Sequence, residues 1–171
     1  MAEGWKEMIS DDLDEADRKV WEQLVEAYSS FGKAGQAFLS PGVNRVGLIR
    51  LALRQGMDPA AVRMLESLPV PELQELFPTL LHYASFGHGA VGAFRKAILM
   101  IPREWVLERL QKDAPPILDS GGYDEWRRIL ELCVELDQAL TLRIARAASS
   151  HGDPDVREVG EDFLERLGEK K

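Results

Sequence analysis

The sequence predicts an all-α protein of about nine to eleven helices, paired as irregular antiparallel neighbours and stacked into a short α-solenoid. Three observations carry that prediction. Apolar residues recur at helical spacing along most of the chain. Leu and Ala dominate the apolar set, while Thr stands only at positions 79 and 141, a balance that favours helix over strand. Helix–turn–helix units of roughly 30 to 45 residues follow one another, a period found in solenoid repeats.

The elements follow in order. Residues 1–10 read as a loosely held terminus, with Trp5, Met8 and Ile9 as its packing residues. The first long helix is predicted from Asp12 to Ser30. Trp21, Leu24, Val25, Tyr28 and Phe31 make its apolar face, and Asp11, Asp12, Asp14 and Glu15 complement the positive end of its dipole. Gly32 is its predicted stop, followed by a short helical piece over 33–39 and a break at Ser40-Pro41-Gly42. Val43 to Gln55 reads as the next helix, with Val46, Ile49 and Leu53 inward and Gly56 as the stop. Asp58 is placed to cap a further helix with Pro59 at its first position; Ala61, Val62, Leu65 and Leu68 form its stripe.

Pro69-Val70-Pro71 is a stiff break. Glu72 to Phe86 has a helical pattern that Pro78 is expected to kink or split. Ala90 to Ile101 and Arg103 to Gln111 are the next two helices, with Trp105 on the second. Pro115-Pro116 and Gly121-Gly122 bracket a predicted loop holding the apolar pair Ile117-Leu118. Residues 123–168 are the best-defined region. Trp126, Ile129, Leu130, Cys133 and Leu136 line one helix, with Asp137 as a cap; Leu140, Ile144, Ala147 and Ala148 line the next, over Gln138 to Ser149. Tryptophans 5, 21, 105 and 126 are read as packing residues, with any exposed one an interface candidate.

The chain has 171 residues, which suits one domain spanning 1–171. Its hydrophobic fraction of 45% supports a core, and its charged fraction of 29% supports a soluble surface. The net charge of −8 repels phosphate backbones and argues against nucleic acid as a partner. Cys133 is the only cysteine, so no intrachain disulfide forms and a reducing cytoplasm is the expected location. The N-terminal stretch lacks the basic and apolar regions of a signal peptide, and no segment approaches the ~20 apolar residues of a membrane span.

The sharpest local pattern is His151-Gly152-Asp153-Pro154-Asp155-Val156-Arg157. Gly152 suits a helix exit, Asp153 a cap and Pro154 a first helical position. Val156, Val159, Phe163, Leu164 and Leu167 then make one stripe. The string Asp58-Pro59-Ala60-Ala61-Val62-Arg63 echoes this turn with one residue inserted. Residues 138–167 resemble a HEAT-type repeat: Asp153, Pro154, Val156 and Arg157 fit the turn, and Gly160 takes the family's small position. The position that in the family holds an Asp partner of the Arg is His151 here, with Asp153 and Asp155 as the available substitutes. The resemblance implies a right-handed HEAT-like solenoid and, as for most such repeats, a protein-binding scaffold.

Candidate chemistry is sparse. Gly87-His88-Gly89-Ala90-Val91-Gly92 matches a dinucleotide-binding pattern, which works only between a strand and a helix; here a helical pattern precedes it, so a turn between helices is expected. His82, His88, His151 and Cys133 lack metal-ligand spacing. Cys133 lies on an apolar stripe, which predicts a packed, inert thiol. Asp11-Asp12 and Glu161-Asp162 lie on solvated faces, whereas acid–base pairs need environments that pull two pKa values apart. Asp124 with Arg128, and Asp162 with Arg166, are spaced for intrahelical pairing. Arg127, Arg143, Arg146 and Arg157 form a candidate basic patch for an acidic protein surface.

The expected function is a non-enzymatic interaction module, an adaptor or regulatory subunit binding a protein partner through a helical groove, with no cofactor, metal or membrane. The alternatives are a helical enzyme or nucleic-acid-processing protein with its site in that groove, or a small-molecule sensor.

Overall fold

The computed structural model describes residues 14–168. Trp5, Met8, Ile9, Asp11 and Asp12, to which the sequence gives packing and dipole roles, lie outside the described residues. The described chain is all-α, with ten α-helices, one 3-10 turn and no strand. The described residues fall into two compact units that divide between Val43 and Asn44.

The first unit contributes α1 (Glu15–Phe38). Asp14 caps it, its carboxylate accepting from the Asp17 N–H at 2.8 Å. The expected stop at Gly32 does not occur, and the predicted separate piece over 33–39 is the end of the same helix. A single Gly costs a helix about 1 kcal/mol relative to Ala, which weakens it without ending it. Trp21, expected to be a packing residue, is 66% exposed, and α1 contains no buried residue.

The second unit begins with α2 (Arg45–Arg54) and α3 (Pro59–Met64), which runs into the 3-10 turn Leu65–Ser67. Asp58 caps α3 as expected, accepting from the Ala60 N–H at 2.8 Å. Helix α4 (Val70–Ala84) runs unbroken through Pro78. Pro78 is exposed, on the water side of α4. The buried side chains Leu73, Leu76, Phe77, Leu80, Leu81 and Ala84 hold both halves of α4 on the core. Helix α5 (Val91–Leu99) packs along α4.

Helix α6 (Arg103–Asp113) is followed at once by α7 (Pro115–Ser120), where the sequence predicts a loop. Pro115 and Pro116 open α7, at positions where a missing N–H costs no intrahelical bond. Gly121 closes the element, and a Cβ there would lie 2.7 Å from the Ile117 carbonyl oxygen and 2.6 Å from the Glu125 Cβ. Helices α8 (Tyr123–Leu136), α9 (Gln138–Ser149) and α10 (Pro154–Arg166) form one packed group. Asp137 and Asp153 cap α9 and α10 as the sequence indicates, accepting from the Leu140 and Asp155 N–H groups at 2.8 and 2.9 Å.

The core of this unit is apolar. Phe77, Phe94, Ile129 and Leu130 are fully enclosed, and Thr141 is a rare buried polar group. Its hydroxyl donates to the Asp137 carbonyl at 2.7 Å, which satisfies the group inside α9. Side-chain links cross between helices: Arg45 of α2 pairs with Glu72 of α4, and Arg95 of α5 with Glu131 of α8. Trp105 meets the edge of Phe77 at 5.3 Å between ring centroids. No helix among the described residues is long and apolar enough to cross a membrane.

Candidate functional site

Two adjoining hollows, each about 380 Å³, meet between α6–α7 and α9. Leu107, Leu110 and Gln111 of α6, with Ala114, Pro115 and Leu118, make one wall; Leu140, Arg143, Ile144 and Ala147 of α9 make the other, and Trp126 of α8 belongs to it as well. Gln111, Leu140 and Arg143 are common to both hollows. The spacing Leu140, Arg143, Ile144, Ala147 is the i, i+3, i+4, i+7 pattern of one helix face.

The groove's end is fixed by Asp137. Its carboxylate caps α9 and also pairs with Arg103 of α6 at 2.7 Å, while Arg103 Nε donates to the Leu136 carbonyl at 2.6 Å. One residue thereby sets the start of α9 and its separation from α6. The Trp126 Nε1–H is buried and has no hydrogen-bond partner among the described residues, an arrangement that costs about 1–3 kcal/mol where no acceptor is supplied.

The four arginines singled out in the sequence have different surroundings. Arg143 is exposed, lines both hollows and has no hydrogen bond or ion pair among the described residues. Arg146 is exposed in the last turn of α9 and is not among the residues lining the groove. Arg127 lies in a separate hollow of about 290 Å³ with Glu158, Glu161, Asp162 and Glu165; it pairs with Glu131 at 3.3 Å and Asp162 at 3.5 Å and lies over the Tyr123 ring. Arg157 donates from Nη1 to the carbonyls of His151 and Gly152 at 2.9 and 2.8 Å, binding its own turn together. His151 accepts from the Asp153 N–H through Nδ1 at 3.1 Å, and among the described residues Arg157 bonds turn carbonyls rather than the carboxylate of Asp153 or Asp155.

The other candidates have structural work. Of the glycine-rich stretch 87–92, residues 87–90 form the turn between α4 and α5, and Val91 and Gly92 open α5. Within it the Ala90 N–H donates to His88 Nδ1 at 3.1 Å, so Nε2 carries the proton and donates to the Tyr83 carbonyl at 2.6 Å. Both ring nitrogens of His88 are thus used to staple the turn. Burial pushes the Cys133 thiol up to about 12, so it stays protonated and unreactive near neutral pH. Among the described residues no three His, Cys, Asp or Glu side chains are grouped to hold a metal ion. The Asp162–Arg166 pair forms at 2.8 Å; Arg128 bonds Glu131 directly, while Asp124 attracts it only through charge.

The α6–α7 wall is not legible in the sequence as part of a site, because 115–122 reads as a loop. The signal is nonetheless present: paired prolines can open a helix as well as interrupt one. Comparison of the chain with family models, with curated proteins and with solved structures finds no match.

Proposed function

We propose that this protein is a non-enzymatic interaction module whose α6–α7/α9 groove takes an apolar segment of a protein partner carrying a carboxylate. One observation carries the reading: among the described residues, Arg143 stands without an ion pair on otherwise largely apolar walls. A guanidinium offers a forked set of donors that matches a carboxylate in two-point contact, and flanking apolar walls add burial energy for a partner side chain. The HEAT-like pattern of 138–167 supports a scaffold role by analogy of repeat type, and it extends the reading to a short right-handed solenoid. The net charge of −8 disfavours nucleic acid as the partner. The single buried cysteine suits a reducing cytoplasm.

Selection from a displayed random-peptide library tests the proposal. Peptides that combine an Asp or Glu with apolar residues three or four positions away are expected to be enriched, and to lose binding at least about tenfold to the Arg143→Glu protein while still binding Arg146→Glu. Equal binding to the wild-type and Arg143→Glu proteins, or no enrichment at all, overturns it.

A further inference from the structure

Among the described residues, helix α1 carries a wide apolar face. Val20, Trp21, Leu24, Val25, Tyr28 and Phe31 are between 38% and 73% exposed. Taking about 150–250 Å² for each large side chain, these six leave roughly 700 Å² accessible. That exceeds the few hundred Å² of contiguous apolar patch usual on a monomer and approaches the ~800 Å² per partner of a stable interface. A helix of this kind is also poorly stable when its face is uncovered, more so with Gly32 and Gly35 inside it.

The sequence of the face indicates what covers it. Trp21, Leu24, Tyr28, Phe31, Gly35 and Phe38 recur at alternating spacings of three and four, the seam of a helix-to-helix interface. Val20, Ala27 and Ala34 flank the seam on one side, and Val25, Gly32 and Leu39 on the other. Glu22, Glu26 and Lys33 fall outside these rows. The bulk is asymmetric, with large side chains in the first part of the seam and Gly35 near its end.

We infer that α1 pairs antiparallel with α1 of a second copy of this chain, making a two-fold homodimer. With the axis between Ser29 and Ser30, Leu24 faces Gly35 of the second copy, Trp21 faces its Phe38, and Tyr28 faces its Phe31. Every seam position then has a counterpart, and a large residue fills the space a glycine leaves. A parallel pair sets Gly35 against Gly35 and opens a gap there, crowds Trp21 against Trp21, and brings Asp14 and Asp17 of the two copies together at the continuation of the seam. Antiparallel packing avoids all three and aligns the helix dipoles favourably. The interface is isologous and closes on itself.

Sedimentation velocity of the full chain across low to high micromolar concentration tests this. A species of twice the 19.2 kDa chain mass is expected. Trp21→Glu combined with Leu24→Glu is expected to raise the dimer dissociation constant at least about 100-fold, while Gln23→Glu on the opposite face leaves it within about threefold. Far-UV circular dichroism and the unfolding midpoint of the rest of the chain check that the variants stay folded. Orientation is read by mild oxidation: Leu24→Cys mixed with Gly35→Cys forms a mixed disulfide, and neither variant links to itself. A monomer at every concentration overturns the inference, whatever else binds the face. So does a dimer indifferent to Trp21→Glu with Leu24→Glu, or a disulfide between two Leu24→Cys chains.

Discussion

Gly160 of α10 lies against the backbone of Ser149 in α9: a Cβ on Gly160 would stand 2.3 Å from the Ser149 nitrogen and 2.7 Å from the Ala145 carbonyl oxygen. Both neighbours are main-chain atoms of a helix and cannot rotate away. The contact therefore sets how closely α9 and α10 approach, and the buried Val156, Val159 and Phe163 of α10 depend on it. Gly160→Ala is expected to destabilise the protein by about 1–3 kcal/mol, seen as a lower urea midpoint. Gly92 is also helical, but a Cβ there would meet nothing within 4 Å. Gly92→Ala is therefore expected to stabilise by about 0.5–1 kcal/mol. Equal effects at the two positions would show that close helix approach is not what Gly160 supplies.

Glu131 gathers three arginines. Arg95 of α5 and Arg127 and Arg128 of α8 all bond or pair with its carboxylate. Burial acts to raise the Glu131 pKa, but the hydrogen bonds from Arg128 and Arg95 outweigh it and hold the carboxyl below the ordinary glutamate range. A carboxylate lowered on folding stabilises the native state fully above its unfolded pKa, near 4.3. That contribution is lost as pH falls through the lower native value. Glu131→Gln should therefore reduce stability at neutral pH and narrow its difference from wild type as the pH drops below about 4. Urea midpoints at a series of pH values give the result; a difference that widens on acidification would refute the assignment.

The helices and their caps are legible because their signals are local. Asp58, Asp137 and Asp153 each read as a cap, and each accepts the expected backbone N–H. Two punctuation signals mislead. Gly32 reads as a stop and Pro78 as a break, yet both lie inside continuous helices, because their local cost competes with the propagation of a helix already formed. The arginines mark the limit of such reading. Arg127, Arg143 and Arg157 look alike in sequence, and only the fold distributes them among an acidic hollow, an open groove and a pair of turn carbonyls. Likewise, the apolar face of α1 is readable from its spacing, whereas its exposure is not: periodicity reports a face without reporting what covers it.

Asp137 joins two tasks that substitutions can separate. One carboxylate oxygen accepts from the Leu140 N–H at 2.8 Å, and the other meets Arg103 at 2.7 Å. The first interaction starts α9, and the second holds α6 beside it, so both shape the groove that Arg143 lines. Asn is as good a helix cap as Asp but carries no charge. Asp137→Asn is accordingly expected to keep most of the stability, because the Arg103 pair is half-exposed and such pairs contribute little. Asp137→Ala removes the cap as well and should cost about 1 kcal/mol. Thermal unfolding of the two variants separates the terms. If Asp137→Asn lowers stability as much as Asp137→Ala, the ion pair to Arg103 rather than the cap carries the contribution, and the salt dependence of the wild-type midpoint should then be steep.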